Sequence, residues 1–210
     1  MHWLKKKINA LELYTIDVIL GRRADTGAAI YGACLQTLSW LFNGIVQARW
    51  WLYRHRIFHD QPLGCLVVVV GNLTVGGTGK TPTTLWLVRA LRDAGLRVVI
   101  LSRGHGRTNE SVDPVMIVSD LRAVRVDNPE WSGDEPLHLA KSLPGTPVIV
   151  ARNRRDSGDV AVAQFQPDVI VLDDGMQYWQ LHRDIEICLL DARQPFGNGW
   201  LLPRGPLREP

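Results

Sequence analysis

Cysteine is scarce in this 210-residue chain: Cys34, Cys65 and Cys188 are odd in number and far apart. Their spacing excludes a disulfide framework and a cysteine metal site, and their apolar neighbours predict buried thiols of a reducing compartment. A strong charge of one sign is lacking too. The formal net charge of +3 is too small for a generic nucleic-acid binder, and no nucleic-acid partner is expected. The excess is local: residues 1–60 hold eight Lys/Arg (Lys5, Lys6, Lys7, Arg22, Arg23, Arg49, Arg54, Arg56) against four acids (Glu12, Asp17, Asp25, Asp60), or +4. That leaves 16 minus 17, or −1, for the remainder. Internal repeats and low-complexity tracts are absent, which argues against solenoids and disordered tails.

Long uncharged runs are rare, with one exception. From Thr26 to Ala48 no charged side chain occurs, nearly the length of a membrane span. Within it Gln36, Ser39, Asn43 and Gln47 recur at spacings of three and four as a polar stripe. Ile30, Cys34, Leu38, Leu41 and Ile45 make an apolar face, widened by Leu35, Phe42 and Val46, the pattern of an amphipathic helix. RWWLYRHR at 49–56 follows. Aromatic rings among arginines suit the headgroup region, where a ring is half immersed and a cation meets lipid phosphate. A helix packed on the protein's own core or on a partner subunit is the plainer reading. The setting of Trp50, Trp51 and Tyr53 favours a membrane surface, with spanning and in-plane placements both open. Glu12 and Asp17 interrupt any secretory core, so a cleaved leader is not expected.

The densest signal is CLVVVVGNLTVGGTGKTP at 65–82. Valines 67–70 are β-branched and apolar at successive positions, as in a central parallel strand buried on both faces. TPTTLWLVRALRDAGL (81–96) reads as a helix through Leu85, Val88, Leu91 and Arg92, ended by Gly95, with Pro82 harmless in its first turn. The glycines therefore lie between a buried strand and a helix N-terminus, where free N–H groups attract anions. Gly76, Gly77 and Gly79 let the backbone curl round a phosphate together with Thr74 and Thr78. Lys80 reaches β/γ oxygens, and the Thr81 hydroxyl suits Mg²⁺. Thr74 stands where GxxxxGK[ST] has its first glycine, and Val75 where a KGGxGK[ST] variant has its extra lysine. A loose strand-to-helix turn is the alternative.

PDVIVLDDG (167–175) supplies the expected partner, an apolar strand ending in Asp173 and Asp174 that could hold Mg²⁺ directly or through water. RVVILSR (97–103), VMIV (115–118), PVIVA (147–151) and IEICLLD (185–191) read as further strands, with helices at 134–143 and 156–164 between them. This alternation predicts an α/β fold, a P-loop NTPase-like doubly wound, mostly parallel sheet, with an N-terminal membrane-associated helix. The expected division is a basic, aromatic helical segment at 1–60, a P-loop kinase core at 61–192 and a Gly/Pro-rich linker at 193–210.

SRGHGR (102–107), SGDEPLHLA (132–140), DDGMQYWQLHRD (173–184) and GNGWLLPRGPLREP (197–210) follow GNLTVGGTGKTP in order. Over roughly residues 40–210 the chain resembles the tetraacyldisaccharide 4′-kinase (lipid A 4′-kinase) family. The resemblance implies an ATP- and Mg²⁺-dependent kinase that phosphorylates the 4′-hydroxyl of a lipid A disaccharide precursor at the cytoplasmic face of the inner membrane. It implies that Asp134 activates the sugar hydroxyl, with Lys80 as the other catalytic group. A helix cap is an equally ordinary use of an Asp at that position. Arg103 and Arg107 are implied to hold phosphate, against the plainer reading of an exposed basic turn. Asp173, Asp174 and Glu209 are implied as metal carboxylates, with Gln177 orienting phosphate or water nearby.

Two positions depart from the pattern: His105 stands where the family usually shows Tyr, and Tyr178 where it shows His. The family's chain also continues past LREP into a second lobe with a histidine that partners the catalytic aspartate. This sequence is therefore expected to be a truncated form lacking the C-terminal lobe. Two rivals remain: a P-loop ATPase or GTPase, for which NRRD (153–156) resembles the guanine-reading NKxD, and a membrane-tethered nucleotide-binding module without lipid kinase activity.

Overall fold

The computed structural model describes residues 2–23 and 25–210; the side chains of residues 2–9, including Lys5, Lys6 and Lys7 of the basic opening, lie outside the described set. The β-branched runs become strands and the amphipathic stretches between them helices. In chain order these are α1 (His2–Ile19), α2 (Thr26–Arg54), β1 (Leu66–Asn72), α3 (Lys80–Asp93), β2 (Val98–Ser102), β3 (Val115–Ser119) and α4 (Pro129–Ser132). Then follow α5 (Asp134–Ser142), β4 (Val148–Ala151), α6 (Arg154–Phe165), β5 (Val169–Asp173) and β6 (Ile185–Leu189). The chain divides into two compact units, Met1–Ile57 with Leu73–Gly76 and Leu190–Pro210, and Phe58–Asn72 with Gly77–Leu189.

The second unit carries the whole sheet, in the order β3-β4-β2-β5-β1-β6. All neighbours are parallel except β3, which runs antiparallel to β4 at one edge. Val67 to Val70 are fully buried, as a central strand demands. Val68, Val70, Ile100 and Val171 pack with Val88 of α3 and with Leu137 and Leu139 of α5. Helix α6 packs on β2 and β4, with Gly158 so close to Leu63 that a Cβ would meet its side chain at 2.6 Å. Parallel strands all end on one edge, so the segments after β1, β2, β4 and β5 emerge together there.

The first unit is built on α1 and α2. Asp25 caps α2 by accepting from the Ala28 N–H at 2.9 Å. Val18, Ala28 and Leu35 form its small core with Tyr14, Ile19 and Tyr31. One residue of the polar stripe of α2 turns inward: Ser39, 2 % exposed, donates to the Leu201 carbonyl at 2.9 Å. Ile30, Leu38, Leu41 and Ile45 are exposed, joined by Trp40, Trp50 and Trp51. By length and composition α2 could cross a membrane. The Gly/Pro-rich segment after residue 190 is tied into this unit, through Asn198 to the Ile19 carbonyl (3.2 Å) and Arg204 to the Val18 carbonyl (3.3 Å).

The cysteine expectation is corrected. Cys34 and Cys188 are exposed and Cys65 is partly covered. Cys34 lies on the outward apolar face of α2 and Cys188 on the edge strand β6, where apolar neighbours in sequence do not mean burial.

Candidate nucleotide-binding site

The loop after β1 takes the conformations that its glycines anticipate. Gly76 has φ +132° and Gly79 φ +84°, values that side-chain-bearing residues rarely adopt. Gly79 precedes α3 without any side-chain cap, so the first amides of α3 remain available to an anion. The Thr78 hydroxyl is buried with no hydrogen-bond partner. An orphaned donor at that point fits a ligand oxygen. Lys80 bends back over the strand end, donating to Asn72 Oδ1 at 3.2 Å and approaching Asp174 Oδ1 at 3.9 Å. Thr81 follows it in the first turn of α3.

The twin acids are not equivalent. Asp173 ends β5, is 3 % exposed, and accepts a hydrogen bond from the Thr84 hydroxyl at 3.2 Å. Burial, then the charges of Glu135 and Asp174, push its pKa up to about 6, against the Thr84 bond and Lys80. Asp174 adopts φ +51°, which turns its carboxylate toward Lys80. A non-glycine residue held in that region is typical of functional sites. Gln177 lies close by, donating to the Asn72 carbonyl at 3.3 Å.

Asp134 opens α5 and is exposed, with Gly133 before it at φ +86°. A Cβ on Gly133 would meet Gly104 Cα and the His105 carbonyl at 3.2 Å. Two bare backbones thus press the SRGHGR loop against the start of α5, which brings Asp134 beside the end of β2. Arg103 is exposed at this edge.

Arg107 differs from the expectation of a phosphate ligand. It is buried, and its guanidinium donates to the backbone carbonyls of Val150 and Asp113. Those bonds engage two of its nitrogens and make it a brace for the loop that Arg103 opens. Among the described residues no group of three or more His, Cys, Asp or Glu could hold a metal ion. Asp173 and Asp174 belong to the second unit. Glu209, in the first unit, follows Arg208, whose N–H donates to the Leu73 carbonyl at 2.8 Å. Thr74 is buried and bridges to Leu207 in the same unit. The segment bearing Glu209 is thus bonded to the start of the loop.

Four residues of this edge escaped the sequence reading: Asn72, Thr84, Glu135 and Arg154. Asn72 stands inside GNLTVGGTGKTP without a role of its own there, and Thr84 carried no motif. Glu135 stands next to Asp134 in GDEP, and that adjacency was the available clue. NRRD opens α6. Asn153 caps α6 by accepting from the Arg155 N–H at 3.2 Å and donates to Asp156 at 2.8 Å, so the two residues satisfy one another.

Residues 31–210 match the profile of the tetraacyldisaccharide-1-P 4′-kinase family. The chain belongs to this family. A tetraacyldisaccharide 4′-kinase of Syntrophus aciditrophicus is 44% identical over 86% of this chain and 47% of its own length. One of Pelobacter propionicus is 47% identical over 84% of this chain and 48% of its own. The chain spans about half the length of the curated relatives it matches. A crystal structure of LpxK from Aquifex aeolicus in complex with ATP is similar at a TM-score of 0.77 and 38% identity, covering 86% of this chain and 55% of that one. The P-loop NTPase-like sheet is therefore the family's own fold, and the family match takes in most of α2 as well as every candidate site residue.

Proposed function

We propose that this chain carries the phosphoryl-transfer site of a lipid A disaccharide 4′-kinase, taking ATP and Mg²⁺ and acting on the 4′-hydroxyl of a tetraacyldisaccharide 1-phosphate. The carrying observation is the arrangement within the second unit, in which Lys80, Asp174 and the Thr84-bound Asp173 meet where the loop after β1 faces the end of β5.

The residues present fit the nucleotide: a buried unpartnered Thr78 hydroxyl, uncapped amides at α3, and a lysine held over the strand end. They also fit Mg²⁺, which is ordinarily bound by one or two carboxylates together with substrate phosphates. Asp173 and Asp174 would hold it with Thr81, and Glu209 is a further candidate. When bound, the pair supplies the phosphoryl group and the charge that neutralises it. The chain's own groups do the rest. Lys80 exchanges its bonds to Asn72 and Asp174 for phosphate oxygens. Thr78 and the α3 amides fix the phosphates, and Gln177 orients an oxygen near Asn72. Asp134 orients the acceptor hydroxyl and takes its proton at a carboxylate oxygen. Lys80 and Asp134 are the catalytic groups of this reading.

The exposed apolar face of α2, with Trp50 and Trp51 beside Arg54, supports a membrane surface as partner, consistent with a lipid acceptor at the cytoplasmic face of the inner membrane. The second half of the relatives' length is the natural complement of the site, and a division into 1–60, 61–192 and 193–210 remains our working description of this half. Incubation with γ-labelled ATP, Mg²⁺ and tetraacyldisaccharide 1-phosphate tests the reading, with and without the second half supplied as a separate chain. Label in the lipid under either condition supports it. Nucleotide binding without transfer in both would leave a membrane-tethered binding module.

A further inference from the structure

The first helix of the chain encloses space that the second does not fill. Residues 31–210 match the family, and α1 lies ahead of them. Tyr14 of α1 stacks on Tyr31 of α2 with ring centroids 5.6 Å apart, and the Thr15 hydroxyl lies 2.9 Å from the Tyr31 hydroxyl. Val18 is buried there with Ala28 and Leu35. Along this seam α2 presents Ala29, Gly32 and Ala33, and a cavity of about 340 Å³ remains inside the first unit. That volume lies within the range of small-ligand sites.

One end of the cavity is cationic, where Arg23, Gln36 and Arg204 line it. Arg22 and Arg23 stand 3.7 and 3.6 Å from the single carboxylate of Asp17, and Asp25 is engaged by the Ala28 N–H. Three arginines against these two acids leave 3 minus 2, or +1. The excess sits on Arg204. Its guanidinium lies against Gly32, where a Cβ would be 3.7 Å from the Arg204 Cζ. Among the described residues no carboxylate comes within ion-pair distance of it. One terminal nitrogen donates to the Val18 carbonyl at 3.3 Å, while the Nε is buried with no hydrogen-bond partner. A buried donor left unpaired is unfavourable, and an anionic oxygen in the cavity supplies both the bond and the balancing charge. Ile30, next to Ala29 in the chain, is exposed, as is Leu20 at the end of α1, so apolar surface continues outward from the small residues.

We propose that this cavity binds the headgroup of an anionic phospholipid. Its phosphodiester meets Arg204 and Arg23, and the first carbons of its acyl chains run along Ala29, Gly32 and Ala33. A phosphodiester carries one negative charge and balances the +1, whereas a phosphate monoester carries about −1.5 to −2. The site lies on the inward seam of α2, apart from its outward apolar face. It rests on the proposed function only for the membrane as the source of its ligand.

The test is isothermal titration of the whole chain with dihexanoylphosphatidylglycerol below its micelle concentration. Dihexanoylphosphatidylcholine serves as the neutral lipid, and glycerophosphoglycerol as the same phosphodiester without chains. The wild-type chain should bind the anionic lipid about tenfold more tightly than either. Arg204→Gln should weaken it about tenfold. Arg22→Gln, beside the cavity but not lining it, should weaken it less than about twofold. Diffuse surface attraction would weight the two arginines alike. Ala29→Leu fills the open side without changing charge and should weaken binding about tenfold or more. Because Arg204 also braces the Val18 carbonyl, Ala29→Leu decides the matter if Arg204→Gln unfolds; Ala29 is exposed, and leucine keeps the helix. Equal losses in Arg204→Gln and Arg22→Gln, unchanged binding in Ala29→Leu, or glycerophosphoglycerol binding as tightly as the lipid each overturns the proposal. A chain that pellets with vesicles but does not bind the soluble lipid keeps the membrane reading and overturns this one. Binding of the soluble lipid with this pattern of variants, by a chain that ignores vesicles, does the reverse.

Discussion

Replacing Asp173 with Asn should stabilise the metal-free protein at neutral pH. The carboxyl is buried at the end of β5 and its pKa is pushed from 3.8 up to about 6. Below pH 3.8 the group is protonated in both folded and unfolded chains and has no effect. Between 3.8 and about 6 the unfolded chain releases the proton while the folded chain keeps it, so stability falls as pH rises. At pH 8 the full penalty is present, roughly 3 kcal/mol for a shift of about two units at about 1.4 kcal/mol each. Asparagine is nearly isosteric, still accepts the bond from Thr84, and carries no charge to desolvate. The expected gain in melting temperature is roughly 6–12 °C at pH 8 for a chain of this size, shrinking to near zero by pH 4. Thermal unfolding by circular dichroism in EDTA, at pH 4, 6 and 8, reads it directly. An equal difference at pH 4 and pH 8, or a variant that melts lower at pH 8, refutes the assignment of the strain to Asp173. The same variant should lose Mg²⁺-dependent nucleotide binding, since the strain is what an arriving cation relieves.

Lys80→Ala should weaken ATP binding roughly tenfold to a hundredfold by losing charge-assisted bonds while leaving the fold intact, as judged by calorimetry and circular dichroism. Asp134→Asn, in a preparation that transfers label to lipid, should lower turnover by about a hundredfold or more with ATP affinity unchanged; full turnover would leave Asp134 as a helix-opening residue alone. Gly133→Ala should cost about 2 kcal/mol in a denaturant melt, because its Cβ would strike Gly104 and the His105 carbonyl at a positive φ. Removal of residues 1–57 should reduce co-sedimentation with anionic lipid vesicles about tenfold or more, and equal pelleting would remove the membrane reading of α2.

The six strands were legible because runs such as VVVV and VIVL leave the chain little alternative once both faces are covered. The reversed direction of β3 was not, since nothing in VMIV states which way the chain re-enters the sheet. α1 was expected only as part of a helical segment at 1–60 and was not delimited, its charges interleaved with apolar residues and no strong cap in view. In the site, GGTGKT announced a phosphate loop through glycines that need unusual φ values. DDG could not reveal that its two acids part ways, because that follows from one residue taking φ +51° and the other packing under α3. Arg107 and Arg154 show the same limit from opposite sides. In sequence each is an arginine after a strand; their partners, two backbone carbonyls in one case and a ring and one carbonyl in the other, come from distant segments.

The inside-out dress of α2 has a practical corollary. Ala28, Gly32 and Ser39 are tucked away with Leu35, while Ile30, Leu38, Trp40, Leu41 and Ile45 look outward. Changing Leu38, Leu41 and Ile45 to lysine or glutamate should therefore yield a protein that stays dispersed without detergent, with the chemistry at the strand ends untouched. The same three changes, made in a cell that depends on this protein, would ask whether the proposed phosphoryl transfer requires only the right side chains or also the right address.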